Sequence, residues 1–385
     1  MDSSVARDVP AVPGAGPLRR RLGIGARNSY RHWGLLGYGF GAAVLLLTAQ
    51  LSQRGLLLGL VVIASCVASF GIAVKLSFII FGTERIVFFQ QTLAALGLSA
   101  AVLALTDRPL RAGLDLAIIG IGAFLSLGRV GCLSAGCCYG RPARRGVRYP
   151  LAMHTTGFPR HLCEVTLWPI QLVEAALSLL LVGAAITVVL VGWAPGSAVA
   201  VYLVGYGFAR LGLELARGDE ARPTGLGLSE AQWTAPLVLW LLAWRGGGWL
   251  VWAALGLTAL AAGLALYARQ ARWTRWWLRW PQRTRQLGEA LVPLLATPAL
   301  ARAETAYGLR LSSSLNADGS RHFALSRSDP ATPLTATTAG LVARELGLLL
   351  GATPSQLIAG RTPGLFHLDL RGQDRLASSA RSSTM

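Results

Sequence analysis

Three stretches of this 385-residue chain set cations and carboxylates at spacings that can do chemistry. The first, GRVGCLSAGCCYGR, joins Arg129 and Arg141 to Gly128, Gly131, Gly136 and Gly140 and to Cys132, Cys137 and Cys138. Glycine lets backbone approach a ligand or a neighbouring helix closely. Exposed amides at a helix end, together with guanidinium groups, suit a phosphate. The same residues also serve as a Gly-rich turn with arginines snorkelling to a membrane interface. The second stretch, YGFARLGLELAR, carries Tyr206, Arg210, Glu214 and Arg217. On a helix these lie within an arc of about 80°. An arginine and a glutamate in an apolar helix are costly and face a polar interior, as a site or as an ion pair that fixes packing. The third, WPIQLVEA, puts Gln171 and Glu174 on one face near a helix start, where the dipole by itself favours a carboxylate.

The elements that must hold these residues are membrane helices. The chain is 53% hydrophobic and 14% charged, whereas a soluble domain is roughly a quarter charged. Its net charge of +18 comes from thirty-five arginines and one lysine, Lys75. The arginines flank apolar runs, so anionic headgroups explain them and nucleic acid is not an expected partner. Lys75 lies in an apolar run, where lysine snorkels to the surface. Spans are expected at Gly34–Leu51, Gly55–Ile80, Phe88–Leu105, Ala112–Leu127, Ile170–Val191, Ser197–Leu215 and Leu250–Ala268, with Trp233–Trp244 too short to cross alone. That gives about seven spans, or eight if the short segment counts.

The expected fold is thus an all-α polytopic membrane helix bundle with a small α+β C-terminal domain. A basic tail fills residues 1–33 and lacks a signal-peptide pattern, so insertion is expected to use the first span. The bundle occupies 34–268. Trp273, Trp276, Trp277 and Trp280 fall on one helical face within 269–304, which reads as an in-plane interfacial helix ended by Pro281 plus a linker. Residues 305–375 read as the α+β domain, with a hairpin at NADG, a capped helix ending at Gly351 and a strand at LFHLDL, before a disordered tail at 376–385. Arginine density places the C-terminal domain in the cytoplasm; a basic N-terminus on the same side demands eight spans.

Five cysteines, at 66, 132, 137, 138 and 163, do not make a disulfide scaffold. Cys132, Cys137 and Cys138, with Cys163 and His154 or His161, match no common zinc spacing, so neither metal nor cofactor is expected. They read as small packing residues, or as a reactive thiol whose thiolate Arg129 favours.

In order and spacing, the three stretches resemble the prolipoprotein diacylglyceryl transferase family. The family's Gly-Arg-x-Gly-Asn…Gly-Glu-x-x-Gly-Arg signature corresponds to residues 128–141, keeping Arg129, Gly131, Gly136, Gly140 and Arg141. Its His-Pro-x-Gln-Leu-Tyr-Glu segment corresponds to Trp168–Glu174, keeping Pro169, Gln171, Leu172 and Glu174. Its Tyr-x-x-x-Arg-x-x-x-Glu-x-x-Arg helix is kept whole at Tyr206, Arg210, Glu214 and Arg217, and LSEAQW resembles a Ser-x-x-Gln step before the last span. The resemblance covers roughly residues 30–268 and implies a multi-pass bacterial inner-membrane enzyme. Such an enzyme moves a diacylglyceryl group from phosphatidylglycerol to the lipobox cysteine at the signal peptide of a prolipoprotein, releasing glycerol phosphate. It assigns Arg129, Arg210, Glu214 and Tyr206 to catalysis, and Gly131, Gly136, Gly140, Arg141, Gln171, Glu174, Arg217 and Gln90 to substrate binding.

The chain departs from the family pattern at its polar positions. FFQQTL stands for His-Gly-Gly-Leu, with Gln90 at the histidine; Trp168 replaces a second histidine; Cys132 replaces the asparagine and Cys137 the glutamate; Trp33 replaces an early tyrosine. Neutral glutamine takes no proton at pH 7, and losing a general base costs about 10²–10⁴-fold. Two alternatives therefore stand beside the transferase: a non-catalytic phospholipid-binding scaffold, and a thiol or redox protein built on Cys132, Cys137 and Cys138.

Overall fold

The computed structural model describes residues 29–371, apart from 82–87, 160–161, 220–223, 226–227, 247, 270–279, 298, 330–332 and 355. The apolar runs form helices because backbone groups in hydrocarbon must be satisfied within their own segment. In chain order these are α1 (Ser29–Leu51), α2 (Leu56–Phe81), α3 (Phe88–Leu105), α4 (Leu110–Ala135), α5 (Ile170–Leu190), α6 (Ser197–Ala216), α7 (Glu230–Gly246) and α8 (Trp249–Arg269). Among the described residues, all but α3 and α7 are long and apolar enough to cross a membrane.

The main departure from expectation is α4. It does not stop at Leu127 but continues to Ala135, so Arg129, Gly131 and Cys132 stand on a helix rather than in a loop. It ends at Gly136, which takes the left-handed conformation at φ 73° and whose amide returns to the Cys132 carbonyl. Glycine is the residue that adopts this cap without a Cβ penalty. α4 is the hub of the bundle. Ser178 of α5 donates to the Gly122 carbonyl of α4 at 2.9 Å and meets the Tyr202 hydroxyl of α6 at 2.7 Å.

Polar ties fix which helix ends lie together. At one end Asp115 of α4 accepts from the amides of Gly196 and Val199 at the start of α6, at 2.9 and 3.1 Å. Arg54, in the α1–α2 turn, pairs with the same carboxylate at 3.3 Å. At the other end the last turns of α4 meet the start of α1, where a Cβ on Gly131 would touch that of Trp33.

Beyond the bundle, α9 (Trp280–Ala296) begins at Trp280 with Pro281 in its first turn, so Pro281 opens a helix instead of ending one. Trp273, Trp276 and Trp277 lie outside the described residues. Strands β5 (Ala301–Glu304), β6 (Leu309–Leu315), β7 (Arg321–Arg327) and β10 (Phe366–Arg371) form an antiparallel sheet in that order, with the short β8 (Thr353–Pro354) and β9 (Ile358–Ala359) along β10. Helix α10 (Ala336–Leu350) is capped by the Thr335 hydroxyl and closed by Gly351 at φ 65°.

This domain does not hang free of the bundle. Its core residues Leu287, Leu291, Phe323, Leu325, Val342 and Leu346 form one apolar cluster with Tyr139, Tyr149, Met153, Phe158 and Leu167. The latter belong to the segment between α4 and α5, which carries β1 (Pro142–Arg148), a short 3₁₀ turn at Leu151–Thr156 and β2 (Thr166–Leu167); the short β3 (Thr224–Gly225) and β4 (Leu228–Ser229) pair between α6 and α7.

Candidate functional site

The polar site lies where α4, α5 and α6 end beside that segment. Glu174 of α5 is its pivot. Its Oε1 accepts from Arg129 Nη2 of α4 at 2.9 Å, from Arg210 Nη1 of α6 at 3.1 Å and from the Tyr206 hydroxyl at 2.6 Å. Glu174 therefore works as a buried counter-ion between helices, not as a dipole partner in a helix's first turn, a turn that has no acidic residue. Arg210 Nη2 also reaches Glu214 Oε2 at 2.8 Å, one helical turn on, and Arg217 Nη1 approaches the same oxygen at 3.5 Å. Arg217 holds Asp219 through two bonds, Nε at 2.9 Å and Nη2 at 2.6 Å.

Arg129, Arg210, Arg217, Glu174 and Glu214 are all buried. Three guanidinium groups face three carboxylates here, which is how a low-dielectric interior tolerates such charges. The arrangement is nevertheless incomplete: Arg129 Nε and Arg210 Nε are buried donors without a hydrogen-bond partner among the described residues. Buried donors are normally satisfied, so two unanswered N–H groups, on cations that share Glu174, suit an anionic oxygen.

The second half of the signature builds one wall. Gly140 bridges to Arg217, Gly218 N donates to Tyr139 O at 2.8 Å, and Trp168 N donates to Arg141 O at 2.8 Å. A Cβ on Gly140 would collide with the Trp168 carbonyl, so only glycine lets these strands close. Gln171 donates from Nε2 to the Cys137 carbonyl at 2.9 Å and lies 3.4 Å from the Tyr149 hydroxyl, which itself donates to Leu133 O at 2.9 Å. Arg141 Nε reaches the Arg217 carbonyl at 3.4 Å. Burial pushes the Arg141 guanidinium down to about 10, against the opposing pull of the Glu345 carboxylate on α10.

The three cysteines converge. Cys132 in the last turn of α4 and Cys137 and Cys138 beyond Gly136 place their sulfurs within 4.8 Å of one another. Cys138 adopts φ 51°, an unusual conformation for a residue with a Cβ. Hydrogen bonds with the Cys132 and Cys137 thiols, then the charges of Arg217 and Arg129, hold the Cys138 thiol well below its usual range. Cys163 is buried with its thiol toward Pro159 O at 3.6 Å, and His154 Nδ1 meets Phe158 O at 3.0 Å. His161 lies outside the described residues.

Of the residues expected at the site, Arg129, Tyr206, Arg210, Glu214, Arg217 and Glu174 form one network. Gly131, Gly136 and Gly140 permit close packing rather than lining the charges. Gln90 lies in the first turn of α3, and its side chain is outside what is described. Three residues were not expected there: Asp219, Tyr149 and Tyr30. Tyr30 approaches Gly131 and is within electrostatic reach of Arg129 and all three cysteines. It precedes Trp33 by three residues, so a tyrosine is available on the helix face where Trp33 stands for the expected one. The LSEAQW step is a reciprocal helix cap: Ser229 N donates to Gln232 Oε1 at 3.0 Å and Gln232 N to Ser229 Oγ at 3.4 Å. Gln232 Nε2 also ties α7 to α6 through Leu211 O at 3.2 Å.

Residues 92–246 match the family model of the prolipoprotein diacylglyceryl transferases. That match takes in α4 to α7 with the Ser229–Gln232 cap, and most of α3; it leaves out Gln90, the first two helices, α8 and the C-terminal domain. A phosphatidylglycerol–prolipoprotein diacylglyceryl transferase of Clostridium tetani is 29% identical over 106 residues, which cover 28% of this chain and 41% of that relative. The family match therefore falls on the part of the bundle that carries the ion-pair network.

Proposed function

We propose that this protein transfers a diacylglyceryl group from phosphatidylglycerol to a thiol, either the lipobox cysteine of a prolipoprotein or, as a variant, another acceptor. The observation that carries this reading is the convergence of Arg129 and Arg210, from separate helices, with both Nε groups unanswered. A phosphate oxygen placed there receives two charge-assisted bonds, and the charge that grows on departing glycerol phosphate is stabilised in a dry site. Donors of that kind are worth on the order of 10²–10³-fold each. Tyr206 holds Glu174 in place, and Glu214 with Arg217 fixes the Arg210 fork.

The test is incubation of the purified protein with phosphatidylglycerol and a lipobox peptide, read by the mass of the thioether product. Product is expected, and Arg129→Ala and Arg210→Ala should abolish it. Absence of product, with an active relative run alongside, would overturn the reading.

A phospholipid-binding scaffold is the second reading, favoured by the neutralisation of both arginines by Glu174 and by glutamine at position 90. It expects phosphatidylglycerol binding that weakens in Arg129→Ala and Arg210→Ala, without turnover.

The acceptor depends on which way the site faces. The chain between α1 and α8 brings its N-terminal end, the site and α9 to the same side of the bundle. A translocated prolipoprotein requires that side to be outward. The arginine-rich flanks, with a cytoplasmic C-terminal domain, would instead place it inward and point to the variant acceptor.

A further inference from the structure

We propose that Cys132, Cys137 and Cys138 bind one Zn²⁺ as three thiolates and leave its fourth coordination position to the acceptor thiol. The identity of the fourth ligand rests on the thiol-acceptor reading above; the three-sulfur site does not.

Sequence spacing gives no zinc pattern, because the ligands are assembled by the helix end. Cys132 is on the last turn of α4, Gly136 reverses the chain in the left-handed conformation, and Cys138, itself left-handed at φ 51°, folds back toward Cys132. A residue with a Cβ held in that conformation marks a local strain that the surroundings impose. The outcome is three sulfurs all within 4.8 Å of one another. Zn–S bonds of about 2.3 Å at tetrahedral angles set S···S near roughly 3.8 Å, so each pair needs to close by about 1 Å or less. Zn²⁺ prefers thiolate, and sites with three protein ligands keep an open position for the reacting group. Three thiolates and one Zn²⁺ carry a net negative charge, and Arg129 and Arg217 lie within electrostatic reach of Cys138 to offset it. Cys132 is buried while Cys137 is exposed, so the open position has a route to the outside.

The chemistry addresses what Gln90 lacks. An acceptor R–SH entering the fourth position binds as R–S⁻ and gives its proton to solvent, since coordination to Zn²⁺ deprotonates a thiol. The sulfur then attacks the glyceryl carbon. An S–C bond forms, the C–O bond to phosphate breaks, and its electron pair leaves with glycerol phosphate on the Arg129 and Arg210 side. No histidine is needed to take the thiol proton.

Reduced, metal-stripped full-length protein is titrated with Zn²⁺ against a chromophoric chelator, and with Co²⁺ to read the thiolate-to-metal charge-transfer band. One equivalent is expected. It should be lost in Cys132→Ser and Cys138→Ser and retained in Cys66→Ser and Cys163→Ser. A lipobox peptide should shift the Co²⁺ band, and the same peptide with serine for cysteine should not. Folded wild-type protein that takes up no stoichiometric metal, uptake that survives the triple serine variant, or a band unmoved by the peptide thiol overturns the proposal. The two readings fail separately. Thioether formed by metal-free protein leaves the transferase and removes the zinc. Stoichiometric Zn²⁺ with a thiol-sensitive band but no thioether keeps the zinc site and removes the transferase.

Discussion

Arg129 and Arg210 meet on one atom: their guanidinium groups approach Glu174 Oε1 at 2.9 and 3.1 Å from two different helices. Replacing Glu174 by glutamine keeps the shape and removes the charge that both cations share. Breaking a buried pair costs about 3–5 kcal/mol because the partners stay buried and uncompensated. Thermal unfolding in detergent should show Glu174→Gln with a clearly lowered midpoint. An unchanged midpoint would mean that water or lipid already screens the pair.

Arg210→Lys keeps the charge and loses the fork. Lysine is a point charge and cannot hold Glu174, Glu214 and a phosphate oxygen together. Initial rates of thioether formation should fall by about 10²-fold or more. A rate near that of the unaltered protein would take Arg210 out of the site.

The signature glycines are separable. Gly140→Ala drives a Cβ into the Trp168 carbonyl, whereas a Cβ on Gly128 meets nothing within 4 Å. Gly140→Ala should cost about 1–3 kcal/mol. Gly128→Ala should be neutral or stabilising, given alanine's advantage of up to about 1 kcal/mol in a helix. Paired unfolding curves read both; equal effects would place the constraint elsewhere.

Gln232→Ala removes half of a reciprocal cap and the bond from α7 to Leu211 O. A loss on the order of 1 kcal/mol is expected. A lowered thermal midpoint is the convenient readout, and a midpoint equal to the parent's would assign the cap no role in stability.

A membrane-impermeant thiol reagent should label exposed Cys137 from the same side on which protease removes the α9–α10 domain, in sealed vesicles of known orientation. Labelling and cleavage from opposite sides would refute the count of four helices, α5 to α8, between them. The side itself separates a prolipoprotein acceptor from a cytoplasmic one.

Much of the bundle was legible because apolar runs and helix period are local signals. Arg210 and Glu214, four residues apart, could be paired from spacing, and Tyr206 follows on the same face. The Arg129–Glu174 contact could not, because it crosses from α4 to α5 and depends on how those helices rotate against each other. Glycines and cysteines made 128–135 look like a loop, since glycine is a weak helix former in water. Within an apolar bundle the backbone keeps its own hydrogen bonds, and the helix runs on. The three cysteines were singled out, but their convergence was not legible, because it is made by one left-handed turn, not by a repeat. Helix α9 read as linker because the surface it packs on, strands β5 and β6, is built only by the domain that follows it.

That shared apolar cluster couples the outer domain to the wall of the ion-pair site. A substitution such as Leu346→Asp, in the middle of that cluster, would loosen the footing on which Tyr139, Gly140 and Arg141 are laid, and with it the hold on Arg217. Partners or ligands that grip the sheet from outside thus have a mechanical route to the ion-pair end of the bundle.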